Sequence, residues 1–318
     1  MIWALLLACS PAPSPLSDAA VADAVAAGAQ VDGDRLMALV TELVEVRAGE
    51  RGRWFAYWEK PHVRALSAAW CTDQLSALGL APQQHRTVED AVEAENVWVD
   101  LPGTTRPEEI LLVTAHHDSW FQGADDNASG VAVLLELARI LSAEPAERTV
   151  RLAFFDQEET GATGSRRFFR DFDEDGIIGV INLDSVGYAD PTPGAQSAPP
   201  GFRIPDTGDF LAAIANDPAA EPLAHALQLA EALDPPAVVA GALGPGDAFY
   251  GATRDFHRSD HGAAWREGLP GVFFTDTTNF RNPHYHQETD LPETLDPAFL
   301  EDSGRVVVAL TRAWGDAP

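Results

Sequence analysis

Apolar residues recur at helical spacing in DRLMALVTELVEVRA (34–48) and again in VRALSAAWCTDQLSALG (63–79), which stops at a glycine. The pattern then changes. NVWVDLPG (96–103) predicts a strand and a turn. EEILLVTAHHD (108–118), RTVRLAFFDQEE (148–159) and GIIGVINLDSVGY (176–188) are nearly unbroken apolar runs. Runs of this length form strands buried on both faces. Helical spacing returns between them in VAVLLELARIL (131–141) and GSRRFFRDF (164–172). A helix at 221–233, a short strand at 271–276 and a closing helix at 297–314 complete the series. Strands alternating with helices predict an α/β sheet with helices on both faces. Residues 189–209, rich in Pro, Gly, Ala and Ser, predict a long loop or lid.

The 318 residues are 46% hydrophobic, enough for one catalytic domain over 33–316. The formal charge of −28 repels nucleic acid and anionic lipid, so neither is an expected partner. It suits solubility, a salty medium included, or attraction of cationic substrates. The two cysteines form no disulfide framework. Cys9 ends MIWALLLAC, which looks like a bacterial lipoprotein signal over 1–9 with Cys9 as the lipidated residue. A cleaved secretory signal and an unprocessed terminus are the alternatives. Residues 10–32 then read as an Ala/Pro/Ser-rich tether. The expected location is the bacterial cell envelope or outside the cell, with the membrane reached only through the lipid.

Three predicted strands end in ligand-type residues: His116 and Asp118, then Glu158 and Glu159, then Asp184. Open α/β sheets place their sites at the carboxyl ends of strands, so these side chains can meet. Asp125 and Asp126 precede a helix, and a late loop brings His284 and His286. Carboxylates packed this closely repel one another unless a cation sits among them. Mixed imidazole and carboxylate donors suit zinc. Two His and three carboxylates are too many for one ion and fit two ions sharing a bridging carboxylate.

HHD, GADDNASG, FFDQEE, INLDSVGY, SDH and YHQETD, in this order and spacing, resemble the zinc aminopeptidases of peptidase family M28. Each motif is weak alone; the ordered set is specific. The resemblance covers most of 35–316. It implies a three-layer αβα fold with a central mixed, mostly parallel sheet. It implies that His116 and Asp184 hold one zinc, Glu159 and His286 the other, and Asp126 bridges them; cobalt or manganese are alternatives to zinc. It favours Asp126 over Asp125 and His286 over His284. Glu158 is the implied base, and Asp118 accepts the second N–H of His116. His117, next to a ligand on a strand, should point to the other face as a structural residue. Asp260 and His261 resemble pocket residues. Some relatives carry a tyrosine just before that segment to steady the oxyanion; this chain has Phe256, His257 and Arg258, so Arg258 or His257 is the candidate substitute.

The implied activity is hydrolysis of N-terminal peptide bonds, with a water activated by two zinc ions and peptides with a free N-terminus as substrates. A single-zinc glutaminyl cyclase, another amidohydrolase or carboxypeptidase of the family, and a non-enzymatic binding ectodomain are the alternatives. Asp171, Asp173 and Asp175 alternate as in a calcium loop, but Asn182 stands where the closing Glu belongs, so a solvated acidic turn competes with Ca2+. The sequence leaves the oligomeric state open.

Overall fold

The structure is a computed structural model, and it describes residues 13–48, 61–172, 176–198, 204–244 and 255–317. Cys9, Asp173 and Asp175, and with them the lipidation and calcium readings, lie outside the described residues. The Asp171 carboxylate is engaged by Arg170 at 2.9 Å and by His85 at 3.0 Å.

One mixed sheet forms the centre. Its strands are β1 (Gln83–Glu89), β2 (Val92–Leu101), β3 (Arg106–His116), β4 (Arg148–Phe155), β5 (Ile177–Leu183), β6 (Leu211–Ala215), β7 (Val239–Leu243) and β8 (Gly271–Thr275), in the order β1-β2-β4-β3-β5-β8-β6-β7. The inner strands β4, β3, β5 and β8 run parallel, while β2 and β6 pair antiparallel to β4 and β8. This is the expected mixed, mostly parallel sheet, and the apolar runs are its buried centre.

Alternation along the strands sorts the side chains into two cores. Leu111, Val113 and Ala115 of β3 join Val150, Leu152 and Phe154 of β4 in the larger core. That core also takes α1 (Asp18–Gly28), α2 (Gly33–Ala48), α3 (Pro61–Ala77), α4 (Gly130–Ala143), α6 (Ala220–Ala232) and α8 (Pro297–Asp316). Leu112, Ala153, Phe155 and Val180 face the other way, against α5 (Thr163–Asp171) and α7 (His261–Arg266). Three layers result.

Four elements depart from the expectations. β1 is polar on both faces and sits at the sheet edge, so it carries no alternation to read. β6 and β7 are five-residue, Ala-rich strands. The fourth departure corrects the tether. Within 10–32, Asp18–Gly28 is a helix, capped by the Ser17 hydroxyl accepting the Ala20 N–H. Ala24 and Ala27 are buried, and a Cβ on Gly28 would lie 2.7 Å from the Arg305 carbonyl oxygen. Alanine is the best helix former, and its small side chain lets α1 lie close on α8.

The described parts of the expected lid, 189–198 and 204–209, are tied to the body. Asp190 and Gly208 exchange backbone hydrogen bonds, and the buried Arg281 donates to Gln196 Oε1, Tyr188 O and Phe210 O.

Starting the chain at Ala29 removes α1 and uncovers apolar surface on α8. It is expected to cost about 2–3 kcal/mol and lower the thermal midpoint by about 3–5 °C. Differential scanning calorimetry checks this; an unchanged midpoint would show that α1 adds no stability.

Candidate metal centre

His116 is the last residue of β3, and its side chain is fully buried. Its Nδ1 lies 3.1 Å from the Asp118 carbonyl oxygen and 3.4 Å from Asp118 Oδ1. A carbonyl only accepts, so Nδ1 carries a proton, and Nε2 is the nitrogen left to face the other acids. That Nε2 has no hydrogen-bond partner, and it points at two carboxylates: Asp126 Oδ1 at 3.1 Å and Asp184 Oδ1 at 3.7 Å. His286 repeats the arrangement. Its Nε2 is buried without a hydrogen bond, 3.1 Å from Asp126 Oδ2 and 2.9 Å from Glu159 Oε2. Asp126 therefore stands between the two imidazoles, one oxygen toward each. Donor atoms of His116, Asp126 and Glu159 lie within 4.8 Å of one another, as do those of His116, Glu158 and Asp184.

Burial disfavours charge on both imidazoles, but their contacts to these acids outweigh that and raise His116 well above the usual range and His286 to about 10, so a proton or a cation belongs between each imidazole and its carboxylates. Among the acids, burial pushes Glu158 well above the usual carboxylate range and Glu159 up to about 8, with neighbouring acids adding. Burial also disfavours charge on Asp126, but its contacts to His116 and His286 outweigh that and hold it below the usual range. The donor set fits divalent cations between each imidazole and its pair of carboxylates.

Local hydrogen bonds hold the donors in place. The Asp118 carboxylate accepts the N–H of Glu158 and of Glu159, each at 3.2 Å, so it fixes the Glu-Glu turn as well as facing His116. The carbonyl, rather than the carboxylate alone, holds the imidazole. Asp290 accepts the N–H of Asp125 at 2.9 Å and of Asp126 at 3.1 Å. Asn127 ties the same turn to the end of β5: Nδ2 donates to Leu183 O, and Oδ1 accepts from Ser185 N.

The competing residues separate. Asp125 turns away to Gly187 N at 3.0 Å and Asn282 Nδ2 at 2.7 Å. His284 is taken by Thr289 Oγ1 at 2.8 Å. His117 is buried, with Nε2 on Glu95 O. Asp260 lies buried in the field of His116, Asp118 and Asp184, and burial pushes it up to about 7. His261, the next residue, begins α7. It stacks on Phe273 at 4.1 Å, its Nε2 donates to Phe256 O at 2.7 Å, and burial lowers it to about 4, so it is a neutral part of the wall.

Arg258 donates to Asn279 Oδ1 at 2.6 Å and lies 3.2 Å from the hydroxyl of Tyr285. Tyr285 was not foreseen from the sequence. Its ring stacks on His286 with centroids 3.8 Å apart, and burial, with Asp126 and Glu159 nearby, pushes its phenol far up. An aromatic beside a candidate ligand was the only signal. Trp120 adds a second ring, 5.4 Å from His286, while its backbone N–H donates to Glu159 Oε1.

The sequence profile of Peptidase family M28 matches residues 96–311. The chain belongs to peptidase family M28. An uncharacterized protein of Escherichia coli, YfbL, is 31% identical over 63% of this M28 chain and 65% of its own length. The chain spans less than two thirds of the curated relatives it matches first. Among solved structures, the LapA aminopeptidase of Legionella pneumophila shares the fold with a TM-score of 0.68 at 15% identity, over 98% of this chain and 78% of that one. A glutaminyl cyclase of Porphyromonas gingivalis also shares it, with a TM-score of 0.61 at 21% identity over 88% and 97%.

Asp290→Asn leaves one acceptor where two backbone N–H groups converge. Metal affinity is expected to fall about 10–100-fold with the fold intact, read by competition with a chelating dye. Equal affinity would mean that Asp290 does not position the Asp126 turn.

Proposed function

We propose that this M28 chain is a metal-dependent aminopeptidase that removes N-terminal residues from peptides, with two zinc ions as its working metals. One observation carries the reading: the two oxygens of Asp126 face two different imidazoles, each of which has a further carboxylate beside it. On this reading His116 and Asp184 hold one ion, Glu159 and His286 the other, and Asp126 both. Two such ions supply an acidified water and a polarised carbonyl.

The protein's own groups do the rest. Glu158 is buried beside this donor set, and burial raises its proton affinity toward what a base at neutral pH needs. It takes the proton of the attacking water and passes it to the departing amine. Asp118, through the two backbone N–H groups it accepts, keeps Glu158 and Glu159 aimed in different directions. Arg258 donates to the Tyr285 oxygen, which leaves the phenolic proton free for the oxyanion. Tyr285 with Arg258 thus takes the place of the tyrosine that the SDH segment lacks upstream. Asp260 and the acidic wall around it favour the substrate's ammonium group, which restricts cleavage to a free N-terminus. Lipidation at Cys9, and with it an extracytoplasmic location, belongs to the same proposal.

The fold alone does not separate hydrolysis from cyclisation, since a glutaminyl cyclase shares it. Elemental analysis together with release from aminoacyl-nitroanilides and an N-terminal Gln peptide separates them. Two zinc per chain with amide hydrolysis is expected. Glu158→Gln is expected to keep both ions and lose about 10²–10⁴-fold in kcat. One ion with cyclisation and no hydrolysis would overturn the reading. Tyr285→Phe is expected to lower kcat about 10²-fold with little change in KM; a change in KM alone would remove Tyr285 from the chemistry.

A further inference from the structure

Behind the metal centre, four buried polar side chains form one hydrogen-bonded group. Thr114 of β3 and Asn182 of β5 are register partners in the parallel pair. Each stands two residues before a candidate ligand, His116 and Asp184. Both are fully buried, on the side of the sheet where Leu112 and Val180 pack toward α7. The Thr114 hydroxyl donates to Asn182 Oδ1 at 2.6 Å, and Asn182 Nδ2 donates to Ser259 Oγ at 2.9 Å. Nδ2 also lies 3.5 Å from His261 Nδ1. His261 Nε2 donates to the Phe256 carbonyl, so Nδ1 is the accepting nitrogen, and this fixes which way round the amide sits.

Asn182 therefore holds the residues on both sides of Asp260. Asp260 is 1% exposed, and neither of its carboxylate oxygens has a hydrogen-bond partner among the described residues. Ser165 lies beside it, but that hydroxyl donates to Ala162 O at 3.2 Å. A carboxylate without donors of its own takes its direction from the backbone that carries it. Here the backbone is set by Ser259 and His261, and they are set by one amide. The Asp260 carboxylate ends in the field of His116, Asp118, Asp184 and Glu158.

A seam between sheet and helix does not need this chemistry. Leu112, Val180, Ala263 and Ala264 already pack β3, β5 and α7 together with apolar side chains. Apolar groups of the same shape can replace a bonded polar pair at little cost in stability, whereas a fully bonded polar network holds one geometry. The network supplies direction.

We propose that Asn182 is a positioning residue for recognition of the substrate's ammonium group: through Ser259 and His261 it aims the Asp260 carboxylate into the centre. This rests on the aminopeptidase reading. Loss of aim weakens binding of the free amine. It leaves the bond-breaking groups in place, because Glu158 is held through Asp118, and Arg258, although next to Ser259, is held separately by Asn279.

The test uses the full chain loaded with zinc. Asn182→Ala removes the amide. Ser259→Ala removes one acceptor from it, and this milder change carries the test if Asn182→Ala does not fold. Asn182→Ala is expected to raise KM for leucine p-nitroanilide about 10-fold with kcat within about twofold, and Ser259→Ala to do the same to a smaller degree. Two competitive ligands read the aim without turnover: isoamylamine, which carries the ammonium group, and isoamyl alcohol, which has the same carbon skeleton and no charge. The inhibition constant of the amine is expected to rise by the same factor as KM, and that of the alcohol to stay within about twofold. Equal weakening of both ligands, or an unchanged KM in a folded variant, would overturn the positioning role. No release from leucine p-nitroanilide by the unaltered chain would overturn the aminopeptidase reading, and this proposal with it.

Discussion

The arrangement of the centre depends on one electrostatic constraint. Two buried imidazole nitrogens without hydrogen bonds point into a group of buried carboxylates. Asp126 stands between them, and everything that fixes Asp126 serves the constraint. Arg47, a buried cation in the field of Asp118, Asp126 and Asp290, does not neutralise the group by pairing with it. Its N–H groups go to the carbonyls of His117, Gln122 and Gly123, which shape the loop leading into the Asp126 turn. The repulsion is thus left for cations to relieve, and metal affinity is built from what would otherwise be an unfavourable fold.

The backbone carries the same constraint. Phe121, Gln157, Ser185 and His286 all have positive φ without being glycine. Gln157 and Ser185 flank the candidate donors Glu158 and Asp184, and His286 is itself one. Such conformations persist where surrounding bonds over-determine them, and they gather at working sites. Here those bonds are visible: Gln157 N–H on Asp156 Oδ1, and Ser185 N–H on Asn127 Oδ1.

Burial explains what could be read from the chain. Strands covered on both faces must be apolar along their length, so β3, β4 and β5 stood out, and the acids at their ends stood out against them. His116, Glu158, Glu159 and Asp184 are legible in this way, and Asp126 by its place in the polar turn before α4. β1 has no buried face, β6 and β7 are too short and too rich in alanine, and α1 resembles a linker because alanine serves both. Pairings across distant segments left no trace at all. Tyr285 and Arg258 lie 27 positions apart, and neither alone shows that a hydroxyl and a guanidinium meet. The packing of His261 was hidden for a related reason: sequence places it beside Asp260, but α7 starts there and turns its ring onto Phe273.

Neighbouring residues with different tasks are the recurring device of this site. Glu158 and Glu159 diverge because both of their N–H groups converge on one carboxylate, Asp118, which fixes the turn between them. Asp125 and Asp126 diverge for the same reason, with Asp290 as the shared acceptor. In each case one buried acid with two backbone donors lets adjacent acids serve opposite sides of the chain. A fold that an aminopeptidase and a cyclase both use does not choose between their reactions. The second of these turns carries the two-metal proposal, because it sets one oxygen of Asp126 toward each of the two imidazoles.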